Sequence, residues 1–233
     1  MDGPKYPPNL PGYVAPIPRR PVYFLIIQPM GTEQCTAKHH ILDCAERLIA
    51  TKGFVGVGLS EILSTANVPK GSFYHYFSSK ERFGEELLGR YMDGYLTRLD
   101  SLLSDDGTSA RVRLMRYWSL WNVQLCGIAP DGSVVDANPK CLIVKLSAEV
   151  ADISETMRLT LRDGTDRVVK RIAQCLDEAR ADGSVATTLV AHDTALTLYE
   201  MWLGASLLAK LRRDSSPFDH ALHSTEALLG SSA

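Results

Sequence analysis

Apolar residues return at helical spacing along most of the chain. Ile41, Leu42, Ala45, Leu48 and Ile49 fall at i, i+1, i+4, i+7 and i+8, the buried stripe of an amphipathic helix. Lys52 and Gly53 close it with a cation and a glycine able to take the left-handed cap. A short helix over 59–66 stops at Asn67, after glycine the residue most tolerant of left-handed backbone. Pro69 opens another over 70–77. Ser78 and Glu81 have capping-box spacing and predict the start of a fourth helix. There Phe83, Leu87, Leu88, Tyr91, Met92, Tyr95, Leu96, Leu99, Leu102 and Leu103 keep helical period until Asp105-Asp106-Gly107 ends it. Further helices are predicted at about 110–126, 140–151, 154–181, 190–213 and 217–229. Asn138 and Pro139 are the expected N-cap and first position of the 140–151 helix, Pro217 opens the last one, and Gly183 stops the 154–181 helix. No stretch alternates apolar and polar residues with β-branched enrichment, so the fold class is all-α.

Residues 1–35 stand apart as a proline-rich N-terminal extension. The first 30 residues hold eight of the twelve prolines, and proline removes a backbone donor and fixes φ, which forbids a helix or central strand. Disorder is expected there. Two other readings stay open: a DNA-contacting arm carrying Arg19 and Arg20, or a true start at Met30.

Composition narrows the function. With 25 Lys and Arg against 27 Asp and Glu in 233 residues, the net charge of −2 excludes a chain that is basic throughout. A nucleic-acid surface must be local. Residues 36–82 hold six Lys or Arg against four Asp or Glu, a small local excess. None of the five cysteines forms a C-x-x-C pair, which speaks against structural zinc or a secreted disulfide framework and for reduced thiols in a cytosol. The run from Val22 to Ile27 is too short to span a bilayer. A cytoplasmic protein without membrane attachment, metal or cofactor is expected.

Three helices within about 42 residues, the second and third joined by Asn67-Val68-Pro69, have helix-turn-helix dimensions. In the third, Phe73 and Phe77 lie four apart and can face a core, leaving Lys70, Ser72, Tyr74, His75 and Tyr76 to offer donors to phosphates and base edges. Gly71 permits close backbone approach. The run V-P-K-G-S-F-Y-H-Y-F-S-S-K-E resembles the recognition helix and following turn of the TetR family of bacterial repressors, as does G-F-V-G-V-G-L-S-E-I-L upstream. The resemblance implies a DNA-binding domain over 36–82 and an effector-binding and dimerisation domain over 83–233. It also implies that Lys70, Gly71 and Tyr74 sit at or near base edges, that Ser60 reaches the same groove, and that Ser72, Tyr76 and Lys80 contact phosphates. His75 is expected to face DNA or solvent, and Tyr74 has packing between helices as its alternative. Two departures touch local caps: Gly58 stands where the family often has Thr, and Pro69 where it commonly has Ser.

C-L-I-V-K-L-S-A-E-V-A-D-I-S-E from position 141 and L-Y-E-M-W-L-G-A-S-L-L-A-K from position 198 resemble the subgroup of the N-ethylmaleimide-reductase repressor, which includes acrylate-responsive regulators. The stretch 127–138 lies outside that pattern. The resemblance matches the redox- or electrophile-responsive cysteine to Cys141 and its partner lysine to Lys210. Position agrees: a first-turn cysteine beside Lys140 and Lys145 should be a thiolate-prone thiol, though simple packing of a helix end is the alternative. Cys44, Cys126 and Cys175 are expected in the core. Tyr117, Trp118, Trp121 and Trp202 are candidate pocket walls, and Lys145, Lys210 or Arg116 would meet a carboxylate such as acrylate. The expected partners are double-stranded operator DNA, a small-molecule effector, and a second copy through the last two long helices, where Gly204, Ala205 and Ser206 allow close approach. A thiol-dependent detoxifying enzyme using Cys141 is the rival reading. Against it, the chain has no dinucleotide or phosphate fingerprint, zinc-protease motif or nucleophile elbow.

Overall fold

The computed structural model describes residues 37–126 and 141–230, with side chains for 37–121 and 141–230. The proline-rich extension, the Asn138-Pro139 start signal, Lys140, and the side chain of Cys126 lie outside those residues. Nine helices carry the described chain: α1 (Ala37–Lys52), α2 (Leu59–Ala66), α3 (Lys70–Tyr76), α4 (Lys80–Leu103), α5 (Ala110–Cys126), α6 (Leu142–Ile153), α7 (Glu155–Ala181), α8 (Ala191–Arg212) and α9 (Ser216–Leu229). No helix among the described residues is long and apolar enough to cross a membrane.

The first three helices close around aromatic rings. Phe73 is fully buried, its ring 5.1 Å from Phe77 and 5.4 Å from Phe83, the latter in the first turn of α4. Ile41, Ala45 and Ile49 are buried, as the stripe on α1 predicts, and so is Ile62 of α2. Asn67 takes the left-handed cap at φ 51°, its amide on the carbonyls of Leu63 and Ser64. Gly58 and Pro69 cap α2 and α3 with no side-chain bond, so both departures from the family pattern leave free amides at those helix ends.

One expected cap is corrected. Ser79, not Ser78, caps α4: its extended backbone (φ −154°) lets its hydroxyl accept from the Arg82 amide at 3.1 Å. Glu81 instead accepts from the Ser154 hydroxyl at 2.6 Å, which ties α4 to the head of α7. α4 runs along α7, where Gly164 leaves no room for a Cβ against Met92. Trp118, Trp202 and Phe218 stack in a column linking α5, α8 and α9. The Trp202 indole donates to Thr225 at 3.0 Å.

Candidate functional site

The DNA-reading candidates lie on an open surface. Ser60, Lys70, Gly71 and His75 are exposed, and Ser72 and Tyr76 are half-buried. Tyr74 is 52 % exposed with its ring edge-on to Phe73, so packing between helices is not its role here. The Lys70 ammonium sits 5.9 Å from the Tyr74 ring, an arrangement that holds a cation beside an aromatic donor. A Cβ on Gly71 would meet nothing within 4 Å, leaving that backbone open to an approaching duplex.

Lys80 departs from its expected setting. Its ammonium donates to the carbonyls of Phe54 (3.0 Å) and Val57 (2.7 Å) and lies over the Phe54 ring. Burial lowers its pKa, opposed by the nearby Glu149 carboxylate. Two of its three donors are therefore spent on the α1–α2 loop, and its first role is structural. Lys80→Ala is expected to cost about 1–2 kcal/mol of stability, the lower range for hydrogen bonds to charged groups because the ammonium keeps water on one side. A urea titration showing an unchanged midpoint would exclude that role.

The second site gathers around Cys141. This residue is the N-cap of α6 with an extended backbone (φ −71°, ψ 100°), and its carbonyl accepts from the Lys145 amide at 3.0 Å. The expected first-turn position is thus corrected: the helix begins at Leu142. The Tyr91 hydroxyl accepts from the Leu142 amide at 3.3 Å, beside the thiol whose pKa it helps to lower. Tyr95 and Tyr117 share a hydrogen bond of 2.6 Å beside it. Tyr199 completes the cluster with a buried hydroxyl that finds no partner among the described residues. Burial pushes the pKa values of Tyr91, Tyr95, Tyr117 and Tyr199 up, so these are neutral hydroxyl donors and acceptors at any ordinary pH.

Burial also raises the Cys141 thiol, against the pull of the Val144 amide, the Tyr91 hydroxyl, the Ile143 amide and the Lys210 charge. This corrects the expected depressed thiol: helix end and lysine favour the anion, but desolvation outweighs them. The folded thiol holds its proton more tightly than the unfolded one. Its stabilising contribution is therefore full below the ordinary thiol range and fades as pH rises through the raised value, while reactivity runs the other way. Alkylation of Cys141 by N-ethylmaleimide is expected to be slow at pH 7 and still accelerating above pH 9, the ordinary thiol value. Rates followed by peptide mass spectrometry check this, and a plateau below pH 8 would contradict it.

The remaining expected members divide. Tyr117 and Trp121 border the tyrosine cluster, Trp121 lying 5.8 Å from the Tyr199 ring and donating to Ser206. Trp118 and Trp202 belong to the stacked core column, with no exposed face to line a pocket. Arg116 is corrected as a carboxylate partner, because it pairs with Asp106 at 2.6 Å and holds that carboxyl well below the usual range. Lys145 is half-buried and Lys210 exposed, and only Lys210 bears on the thiol. Cys44 and Cys175 are buried as expected. Tyr91, Tyr95 and Tyr199 were not singled out from sequence. For Tyr91 and Tyr95 the available signal was two tyrosines four apart within a mostly aliphatic stripe.

Comparison with known proteins covers both halves of the described chain. Residues 41–87 match the family model described as bacterial regulatory proteins, tetR family, and residues 136–225 match the tetracyclin repressor-like C-terminal domain. The chain is 39% identical over 196 residues to the HTH-type transcriptional repressor NemR of Escherichia coli, covering 84% of this chain and 95% of that protein. It is 31% identical to the transcriptional regulator AcuR of Cereibacter sphaeroides, covering 87% of this chain and 88% of AcuR. The crystal structure of Escherichia coli NemR in its reduced form superposes with a TM-score of 0.78 at 38% identity, covering 84% of this chain and 98% of that one. On both domain models and on identity over most of its length, this chain belongs to the TetR family of bacterial regulatory proteins.

Proposed function

We propose that the chain is a cytoplasmic transcriptional repressor that binds a palindromic operator as a homodimer and releases it when a small unsaturated or electrophilic molecule reaches the Cys141 cluster. The observation that carries this reading is the cluster itself: a thiol at the head of α6, ringed by neutral tyrosine hydroxyls, one of them buried and unpartnered. A buried hydroxyl without a partner is unfavourable by about 1–3 kcal/mol until a ligand's polar group meets it. The names of NemR and AcuR as regulators support the regulatory half.

Residues 36–82 read DNA and residues 83–233 sense and dimerise. Leu196, Leu207 and Leu211 are exposed at helical spacing on α8, Leu211 to 71 %, with Leu228 on α9. Gly204 lies exposed beside them with open space at its Cβ. Such an apolar stripe fits a second copy, which would set two α3 helices about 34–36 Å apart, one turn of B-DNA. For a carboxylate effector such as acrylate, reversible binding is favoured, with Lys210 or Lys145 as the cation. A stronger electrophile would add the thiol across its C=C bond: the S–C bond forms, the π bond breaks, and the thiol proton ends on the neighbouring carbon.

The test begins with a duplex selected by the full chain from a random pool. A palindromic sequence bound by two chains in sedimentation, and released by millimolar acrylate, is the expected result. No selected sequence, or one bound by a monomer, would overturn the reading. Tyr199→Phe should raise unfolding stability by about 1 kcal/mol without ligand, since it removes an unpaired hydroxyl, yet weaken release by acrylate. A stability loss on melting would show that the hydroxyl is already satisfied.

A further inference from the structure

We propose that Glu149 is the positioning residue through which the effector helix holds the DNA-reading domain. This rests on the reading that effectors act at Cys141. Cys141 caps the head of α6, and Glu149 lies eight positions later on the same helix, about 12 Å along its axis. Its carboxylate accepts from two successive amides of the α1–α2 loop: Oε2 from Phe54 at 3.1 Å and Oε1 from Val55. Charge-assisted bonds to paired amides are roughly twice as strong as neutral ones.

The loop is shaped for this carboxylate. Gly53 sits at φ 83°, and a Cβ there would come within 2.8 Å of Glu149 Oε2, so the approach needs glycine twice over. The consecutive amides after it form a concave anion seat. On its other side, the Lys80 ammonium grips the Phe54 and Val57 carbonyls. The six-residue link to α2 is thus held between an anion of α6 and a cation of α4, and α2 carries Ser60. Phe54 also packs where Gly84 leaves no room for a Cβ against its ring or Met157. A shift of α6 at the Cys141 end therefore moves the seat of α1 and α2 directly.

The test uses the full chain, its selected duplex and N-ethylmaleimide, on wild type, Glu149→Gln and Glu149→Ala. Two quantities are read: amide exchange at Phe54 and Val55, and the ratio of duplex Kd after and before alkylation of Cys141. In wild type, alkylation should speed exchange at both amides about tenfold. In Glu149→Ala they should exchange fast from the start, and the Kd ratio should fall about fivefold or more, with Glu149→Gln between, since one carbonyl oxygen replaces two acceptors. A wild-type Kd ratio in Glu149→Ala overturns the inference, as does alkylation of wild type that leaves both amides unchanged. If Glu149→Ala does not fold, Glu149→Gln and the wild-type exchange decide. The exchange arm needs no DNA, so a failure of operator release, which would sink the effector reading, is told apart from a failure of the clasp.

Discussion

Phe73→Ala is expected to unfold the DNA-reading domain or bring it close to unfolding. The ring is fully buried and touches Phe77 and Phe83, so it joins α3 to the turn after it and to the first turn of α4. Truncating a buried phenylalanine costs about 3–5 kcal/mol, the lost transfer energy plus the cavity left behind. α3 has seven residues and no side-chain cap, so little but this packing holds it helical. Thermal melts should show a large fall in midpoint for the first three helices and loss of duplex binding. A variant with wild-type melting would mean the aromatic cluster is not what orders α3.

The second large effect is on DNA. Lys70 is exposed at the first position of α3, its ammonium beside the Tyr74 ring, and touches no carboxylate among the described residues. If it donates to a base edge, Lys70→Ala should lose about 1–3 kcal/mol of discrimination per half-site, doubled in a dimer, while melting stays unchanged. Competition among duplexes altered one base pair at a time measures this. A uniform loss across all sequences, with a shallower salt dependence, would move Lys70 to the phosphate set.

Much of this was legible in the sequence where the cause is local. Helical period predicts nine segments, Asn67 announces its left-handed cap, and the four-residue spacing of Phe73 and Phe77 predicts their shared burial. The misreadings share a cause as well. A thiol at a helix start reads as activated because dipole and lysines are neighbours in sequence. The tyrosines packed around Cys141 come from α4, α5 and α8, at least twenty-four positions away along the chain. Lys80 reads only as a phosphate contact because the loop carbonyls of Phe54 and Val57, which take two of its three donors, lie more than twenty residues upstream. Arg116 reads as free because Asp106 is brought to it only by the turn between α4 and α5. Glu149 carries no local signal at all: its partners are separated from it by some ninety-five residues. Ser79 displaced Ser78 because its extended backbone aims its hydroxyl at the Arg82 amide, a conformation that residue spacing does not announce.

The central claim is that effectors are sensed at Cys141. Its most direct test is fluorescence anisotropy of the selected duplex with wild type and Cys141→Ser, during treatment with N-ethylmaleimide above pH 8 and with adducts mapped by mass spectrometry. Serine is close in size and keeps a hydrogen-bonding group beside Tyr91, so both proteins should bind the duplex equally before treatment. Wild type should then release DNA in step with the adduct on Cys141, while Cys141→Ser stays bound. Release of Cys141→Ser at the wild-type rate, with modification confined to other cysteines, would contradict the account.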